Sequence, residues 1–221
     1  MNKEQCAKYF DHTYLKAMAT EEILENLCRE ASEIRCASVA VSSAWTPYCK
    51  KQLKGTEVKV CSVVAFPLGQ GGLEAKKYEV MDAIAKGADE VDYVLDVGRV
   101  KMHDWDYIQK EMATLTQVAH ASAKTIKVIF ETCYLTKQEI RKCALIAKEV
   151  RPDFIKTSTG FGTGGATVED VRLMAETVEG TVLVKASGGI RDWPTCKAMI
   201  EAGASRIGTS SSLDILKGLD A

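Results

Sequence analysis

Short apolar runs rich in β-branched residues alternate with longer amphipathic stretches along the whole chain. A short apolar run bounded by turn residues is typical of a buried strand, and apolar residues three and four positions apart are typical of a helix. The pattern predicts eight strands, each with a helical stretch after it. The strands are expected at residues 9–11, 37–41, 58–66, 90–95, 125–131, 153–156, 182–185 and 205–208.

Capping residues mark the ends of the predicted helices. Thr20 and Asp192 are expected N-caps, and Thr136 with Glu139 has the pattern of a capping box. Glycine follows several of the helical stretches, as is common at a helix C-terminus. The helices are expected at residues 2–8, 20–34, 47–55, 73–86, 105–121, 136–150, 168–178 and 192–202, with a last one after the eighth strand.

Strand–helix alternation requires a parallel sheet covered by helices, so the predicted fold class is α/β. Eight such units in 221 residues predict a compact (β/α)8 TIM barrel with a short N-terminal helix. No linker or low-complexity stretch interrupts the pattern, and we expect a single (β/α)8 domain over residues 1–221. A doubly wound open sheet is the alternative, and the two weakest strands, at residues 9–11 and 205–208, decide between them.

Composition and charge narrow the classes of function. Apolar residues make up 46% of the chain, which is enough for a sizeable core. A net charge of −1 removes the general electrostatic case for a nucleic-acid partner. The N-terminus has no apolar signal core and no apolar run approaches the length of a membrane span, so we expect no membrane partner.

The eight cysteines are scattered singly and include no CxxC pair, and the three histidines are not clustered. This spacing fits neither a structural zinc site nor a disulfide framework. Reduced thiols fit a cytoplasmic protein. We therefore expect a cytoplasmic location and neither a bound metal nor a cofactor.

Two lysines stand at the ends of consecutive predicted strands, and each is followed by a glycine-bearing loop. They are Lys156 and Lys185. Because neighbouring strands lie about 4.8 Å apart, the two ammonium groups would compete for the same space. At roughly 6 Å and an effective dielectric of about 20, their repulsion is on the order of 2.8 kcal/mol, or about two pKa units. One lysine would then be a free amine, a nucleophile for carbonyl carbons, unless each instead reaches the surface or pairs with a buried carboxylate.

A carboxylate is expected beside these lysines, since the active sites of such barrels lie at the C-terminal ends of the strands. Asp92 shares a strand face with Glu90 and would project into the barrel, where a carboxylate needs a cation. It is either a proton relay for the lysines or only a buried ion-pair partner. The other polar strand-end candidates are Asp11, Thr13, Glu131 and Thr157.

Glycine-bearing loops follow the last three predicted strands. Glycines let backbone N–H groups approach an anion, and barrels often bind phosphate with the loops after the seventh and eighth strands. The pattern favours a small phosphorylated molecule over a dinucleotide, because these loops lack the strand–GxGxxG–helix order with its downstream acid. The candidate phosphate-binding residues are Gly160, Gly188, Gly189, Gly208, Ser210 and Ser211.

A nucleophilic lysine, a second lysine, a carboxylate and a phosphate site together indicate carbon–carbon bond chemistry through an iminium ion. With these residues the chain resembles the deoxyribose-phosphate aldolase family of class I aldolases, and the likeness covers essentially the whole chain. The resemblance rests on the motifs DHTYL at 11–15, VVAFPLG at 63–69, ADEVD at 88–92, KVIFET at 127–132, FIKTSTGF at 154–161, VKASGGIR at 184–191 and RIGTS at 206–210.

The resemblance implies a cofactor-free lyase that reversibly cleaves 2-deoxy-D-ribose 5-phosphate to acetaldehyde and D-glyceraldehyde 3-phosphate, a step of deoxyribonucleotide catabolism. It implies that Lys156 carries the Schiff base, that Lys185 lowers its pKa, and that Asp92 moves protons with water. Asp11 and Thr13 are expected near the substrate hydroxyls. A homo-oligomer, such as a dimer, is expected from the resemblance alone.

Two alternatives stay open. One is another Schiff-base phosphosugar aldolase or transaldolase, and the other is a non-catalytic phosphosugar-binding barrel. The chain departs from the family pattern at Ala40, where a cysteine is common, and at Ser42–Ser43, where a polar residue and proline are usual. We expect Ala40 to change packing beside the site and not the chemistry. The sequence stops at Ala221, so any phosphate contact from a longer tail is an open point.

Overall fold

The computed structural model describes residues 1–219, and its eight strands form a closed parallel barrel in chain order. The predicted TIM barrel is therefore confirmed, and the open-sheet alternative is wrong. The last two residues of the expected domain, Asp220 and Ala221, lie outside the described residues. The strands are β1 (Phe10–Thr13), β2 (Ser38–Ser42), β3 (Lys59–Val64), β4 (Glu90–Val94), β5 (Thr125–Ile129), β6 (Phe154–Lys156), β7 (Leu183–Ser187) and β8 (Arg206–Thr209).

Helices cover the outside of the barrel, and a short one precedes it as expected. The helices are α1 (Lys3–Ala7), α2 (Glu21–Ile34), α3 (Thr46–Gln52), α4 (Leu73–Ala85), α5 (Val97–Lys101), α6 (Trp105–Ala121), α7 (Lys137–Val150), α8 (Val168–Val178), α9 (Trp193–Glu201) and α10 (Ser212–Gly218). None of the described helices is long and apolar enough to cross a membrane.

The predicted caps are present. Thr136 and Glu139 form the reciprocal capping box at the start of α7, and the Asp192 side chain accepts a hydrogen bond from the Thr195 N–H at 2.8 Å. The sequence pattern missed α5, because five residues are too few to show helical periodicity. An Asp96 N-cap, whose side chain accepts from the Arg99 N–H at 3.1 Å, was the one local indication of that helix.

The two weakest predicted strands close the barrel. Phe10 of β1 pairs with Ile207 of β8, and both side chains are fully buried. Two predicted strands end earlier than expected because the next turn needs a left-handed backbone. Ala65 after β3 has φ 50° and Glu131 after β5 has φ 55°, a conformation that no strand residue adopts.

The barrel has apolar strand faces outside and a charged interior. Along β4, Val91 and Tyr93 point to the helices, whereas Glu90 and Asp92 point into the barrel and meet the ammonium group of Lys127. This is the alternation expected of a strand. All of these side chains are buried, so the inward charges must be matched by one another. The side chains of the candidate site are therefore arranged as alternating positive and negative groups.

Candidate active site

Lys156 and Lys185 occupy paired positions on the adjacent strands β6 and β7, as the sequence predicted. Both side chains point into the barrel and both bind the same carboxylate. The Nζ atom of Lys156 lies 2.8 Å from Asp92 Oδ2, and the Nζ atom of Lys185 lies 2.7 Å from the same oxygen. The lysines therefore face a shared anion, and they do not stand at the surface.

The two lysines differ in their pKa. Burial lowers the pKa of Lys156, Asp92 acts against that change, and the neighbouring Lys185 lowers the pKa further. The expected direction holds, but burial is the largest cause and repulsion between the lysines is secondary. Burial also opposes the charge of Lys185, yet Asp11 and Asp92 outweigh it and raise the pKa of that lysine. Lys156 is therefore the amine that loses its proton more readily.

Asp11 is the main reason why the pKa of Lys185 is raised while that of Lys156 is lowered. Its carboxylate accepts a hydrogen bond from Lys185 and lies 2.6 Å from a guanidinium nitrogen of Arg206. Burial alone would raise the pKa of Asp11, but Lys185, Lys127 and Arg206 hold it well below its ordinary value. The structure thus puts Asp11 beneath the reactive lysine, as a partner of Lys185. Direct contact between Asp11 and substrate hydroxyls stays a prediction.

A second layer of buried charge lies deeper in the barrel, and sequence reasoning missed it. Lys127 Nζ lies 2.7 Å from Asp92 Oδ1 and 2.6 Å from Glu90 Oε2, while an Arg206 nitrogen lies 3.1 Å from the same Glu90 oxygen. Burial opposes the charge of Asp92, but Lys127, Lys156 and Lys185 hold its pKa well below the ordinary value. Alternation along β5 places Lys127 on the inward face, and this was the available indication of its role. In the structure it pairs with Asp92 of the neighbouring strand β4.

The charged interior also contains the one set of potential metal ligands found among the described residues. Ligand atoms of Asp11, Cys61 and Glu90 lie within 4.8 Å of one another. The ammonium group of Lys127 already lies among these three residues, because its Nζ is 3.6 Å from Asp11, 3.3 Å from Cys61 and 2.6 Å from Glu90. The donor set is therefore matched by a protein ammonium group, and it does not fit a cation site.

A cavity of about 330 Å³ opens above Lys156 at the C-terminal ends of the strands. Seven of the sequence-predicted site residues line it, namely Thr13, Lys156, Gly160, Gly188, Gly189, Gly208 and Ser210. Six others, Asp11, Asp92, Lys185, Glu131, Thr157 and Ser211, do not line it and lie behind or beside its wall. The cavity brings a reactive amine and a glycine-rich wall into one space.

The glycine-rich wall is built by backbone segments that leave no room for side chains. A Cβ on Gly165 would lie 2.2 Å from the carbonyl oxygen of Gly188, and a Cβ on Gly208 would lie 2.9 Å from Ser187 Cβ and 3.1 Å from Lys185 Cε. Gly188 and Gly189 have φ values of 85° and 80°, which favour glycine. A wall without side chains lets backbone N–H groups approach an anion closely. We call this wall, made of Gly160, Gly188, Gly189, Gly208 and Ser210, the glycine cup.

Two predicted substrate-binding residues instead hold the loops in position. Glu131 accepts hydrogen bonds from the Thr159 N–H, at 3.1 Å, and from the Thr159 hydroxyl. The Thr157 hydroxyl donates to the Ser187 carbonyl at 3.2 Å and accepts from the Ser187 N–H at 3.1 Å. These bonds tie the ends of β5, β6 and β7 together, so the contribution of both residues to the cavity wall is indirect. Their contact with a substrate stays a prediction.

Two basic residues of the cavity wall were not singled out from the sequence. Lys16 follows β1 and Arg191 follows β7, and both line the same cavity as the glycine cup. Their positions just after strand-end motifs were the available indication, since the C-terminal strand ends converge on one face of a barrel. Lys16 and Arg191 add positive charge to the cavity wall beside the glycine cup. This charge suits a doubly negative group such as phosphate.

Comparison with known proteins gives one consistent result. The model of the DeoC/LacD family of aldolases matches residues 5–218. The deoxyribose-phosphate aldolase of Clostridium perfringens is 50% identical over 218 residues, which is 99% of this chain and 97% of that protein. The deoxyribose-phosphate aldolase of Thermococcus kodakarensis is 48% identical over 220 residues, which is 99% of this chain and 98% of that protein.

A solved structure agrees with the sequence relatives. The deoxyribose phosphate aldolase of Aeropyrum pernix superimposes with a TM-score of 0.92 at 31% identity, covering 100% of this chain and 93% of that one. That protein is described as having a unique tetrameric structure.

Proposed function

The chain belongs to the DeoC/LacD family of aldolases, and on that premise we propose that it is a class I aldolase that reversibly cleaves 2-deoxy-D-ribose 5-phosphate to acetaldehyde and D-glyceraldehyde 3-phosphate. One observation carries the proposal. The buried Lys156, whose pKa is lowered, opens onto a cavity that is also lined by the glycine cup and by two basic residues. The cavity thus offers an amine for an aldehyde carbon and an anion-binding wall for a phosphate group.

The proposed reaction begins with attack of the neutral Lys156 amine on the aldehyde carbon of the open-chain sugar. The carbinolamine loses water and becomes an iminium ion. Loss of the proton from the adjacent alcohol of the substrate then breaks the bond between its second and third carbons, and the electron pair moves into the iminium group to give an enamine. Protonation of the enamine carbon and hydrolysis release acetaldehyde and restore the Lys156 amine.

Asp92 is the proposed proton carrier of this sequence, working with water. Its Oδ2 atom accepts from Lys156 at 2.8 Å, so it is within reach of the nitrogen at which protons are gained and lost. Lys185 remains charged, because Asp11 and Asp92 raise its pKa, and its role is to lower the pKa of Lys156 and to hold Asp92. Thr13 is the proposed contact for a substrate hydroxyl, since it lines the cavity.

Phosphate is the proposed occupant of the glycine cup. Gly188 and Gly189 bring backbone with no side chain to the cavity wall, Gly208 leaves the wall open beside them, and Ser210 adds a hydroxyl donor. Ser211 lies next in the chain and is the least direct of the predicted phosphate contacts. The small phosphorylated sugar is in this account the main partner of the protein.

A homo-oligomer and a cytoplasmic location are part of the same proposal. Tyr78 and Met81 on α4 are 71% and 52% exposed, and apolar surface of this kind is often covered by a second subunit. All eight cysteines are free thiols, which fits a reducing compartment. Light scattering tests the assembly, because an oligomer has a mass that is a multiple of the 24.1 kDa chain mass.

Product analysis tests the proposed activity and separates it from the alternatives. We expect the protein to release acetaldehyde from 2-deoxyribose 5-phosphate, and to leave fructose 1,6-bisphosphate uncleaved. Cleavage of the hexose bisphosphate alone would indicate a different Schiff-base aldolase. Binding of deoxyribose 5-phosphate without turnover would indicate a non-catalytic phosphosugar-binding barrel.

A further inference from the structure

A buried serine–histidine–glutamate chain lies outside the reactive site and connects three elements of the barrel. His12 Nδ1 is 2.9 Å from the hydroxyl of Ser212, and His12 Nε2 is 2.9 Å from Glu30 Oε2. His12 belongs to β1, Glu30 to α2 and Ser212 to the start of α10. The His12 side chain is only 4% exposed, so these two partners account for both of its ring nitrogens.

The protonation of this chain follows from its partners. The Glu30 carboxylate can only accept, so Nε2 of His12 carries a proton and donates to it. Nδ1 of a neutral imidazole then accepts from the Ser212 hydroxyl. Burial lowers the pKa of His12, while Glu30 acts against that change, which agrees with a neutral ring. The arrangement is a fixed, fully satisfied bridge between α2 and α10.

The same three residue types form hydrolytic triads in other proteins, but here the serine cannot be a nucleophile. Ser212 is fully buried and does not line the cavity above Lys156. A substrate carbonyl would have to lie about 3 Å from its hydroxyl oxygen, and no space exists there. These three hydrogen-bonded side chains therefore hold the backbone segments that carry them in position.

The two segments that it connects form neighbouring parts of the cavity wall. The residues directly after His12, from Thr13 to Lys16, line the cavity. Residues 208–210, which end two positions before Ser212, also line it, and Gly208 and Ser210 belong to the glycine cup. His12 also pairs with Thr209 across β1 and β8. The bond between His12 and Ser212 thus adds a side-chain link to this backbone pairing, just past the end of β8.

We propose that His12 is a positioning residue for phosphate binding, which acts through Ser212 on Gly208 and Ser210 of the glycine cup and leaves the Lys156 chemistry unaffected. The inference rests on the proposed function, because it needs the glycine cup to take the phosphate of the substrate. It is separable from that function, because Lys156 can form an imine with acetaldehyde, which has no phosphate group.

Two isosteric variants distinguish the bonds of His12. In His12→Asn the side-chain amide oxygen lies near the position of Nδ1 and keeps the bond to Ser212. In His12→Gln the side-chain amide nitrogen reaches the position of Nε2 and keeps only the bond to Glu30. We expect His12→Leu and His12→Gln to raise KM for deoxyribose 5-phosphate about tenfold, the effect of one lost buried hydrogen bond, with kcat changed less than about twofold. His12→Asn should keep KM within about threefold of the unaltered protein.

The same variants are tested with probes that separate phosphate binding from imine formation. The rate at which borohydride traps the acetaldehyde adduct should be unchanged in every variant. Inhibition by inorganic phosphate should weaken in parallel with KM. Ser212→Ala provides a second route if His12→Leu does not fold, because it removes only the hydroxyl on the cup side, and it should raise KM and weaken phosphate inhibition to the same degree as His12→Gln.

Three outcomes would overturn the inference. They are an unchanged KM in His12→Leu and Ser212→Ala, an equal loss in adduct formation and phosphate binding, and a larger loss in His12→Asn than in His12→Gln. Failure of the proposed function would look different, because the unaltered protein would then neither cleave deoxyribose 5-phosphate nor form an adduct with acetaldehyde.

Discussion

Lys156 and Lys185 share one oxygen atom of a single carboxylate, with their Nζ atoms 2.8 Å and 2.7 Å from Asp92 Oδ2. The sharing is unequal, because Lys185 also bonds to Asp11, whereas Lys156 has no second carboxylate within ion-pair distance among the described residues. The two carboxylates raise the pKa of Lys185, whereas the pKa of Lys156 is lowered. Charge pairing deep in the barrel thus favours Lys156 as the proposed nucleophile.

Substitution of Lys185 by leucine tests this selection through the pH–rate profile. The rising limb should report loss of the Lys156 proton, because only the neutral amine attacks. Removing the positive charge of Lys185 removes repulsion and leaves the Oδ2 atom of Asp92 to Lys156, so the pKa of Lys156 rises and the limb moves to higher pH. We also expect kcat to fall by about 10²-fold or more. A limb at its original pH would mean that burial alone sets the pKa, and Lys51→Leu at the surface is the control.

Replacing Asp92 by asparagine removes the charge but keeps the shape. Three ammonium groups, those of Lys127, Lys156 and Lys185, would lose a shared anion, so we expect the free energy of unfolding to fall by about 3–5 kcal/mol. Loss of the proton carrier should lower kcat by about 10²–10⁴-fold. Urea unfolding and steady-state rates measure the two effects. Asp106→Asn, at the surface, should change stability by about 1 kcal/mol or less, and equal effects in both variants would refute the network.

Much of the reactive site follows from the sequence by strand alternation. Lys156, Lys185 and Asp92 each end up inside the barrel because each lies on the inward face of a short strand. The deeper partners do not follow, since Arg206 of β8 meets Glu90 of β4 across the barrel interior, and only the closed geometry brings such distant strands together. The bonds of Asp11 to Lys185 and Arg206 could not be predicted from the pattern either, and its contact with substrate hydroxyls stays a prediction.

The loops show the same division. The glycine loops after the late strands could be predicted from the sequence, because glycine marks a close approach of backbone segments. The hydrogen bonds of Glu131 and Thr157 could not be predicted, because their partners lie on loops whose path depends on neighbouring strands. Helix α5 was missed because it is short.

Alanine at position 165 tests the glycine cup without touching a charged group. Its Cβ would meet the carbonyl oxygen of Gly188 at 2.2 Å, so the backbone of Gly188 must move. We expect KM for deoxyribose 5-phosphate to rise about tenfold or more, since a displaced N–H group no longer reaches the phosphate. Gly71→Ala is a matched control, because its Cβ would have only an ordinary contact at 3.8 Å. An unaffected KM in Gly165→Ala would locate phosphate binding elsewhere.

Arg206→Met tests whether the charged interior is a single network. The guanidinium lies 2.6 Å from Asp11 and 3.1 Å from Glu90, and methionine would leave both buried carboxylates with fewer cations. We expect the free energy of unfolding to fall by about 3–5 kcal/mol. Arg29→Met breaks an exposed pair with Glu33 and should cost about 0.5 kcal/mol or less. Chemical unfolding of both variants gives the comparison, and similar small losses would contradict the network.

The most direct test of the account is the intact mass of the protein after reaction with acetaldehyde or deoxyribose 5-phosphate and borohydride, followed by peptide mapping. We expect one reduced adduct on Lys156, and no adduct in Lys156→Ala, whose fold should persist. An adduct on Lys185 would reverse the roles of the two lysines. No adduct in a protein that binds the phosphosugar would contradict the Schiff-base mechanism.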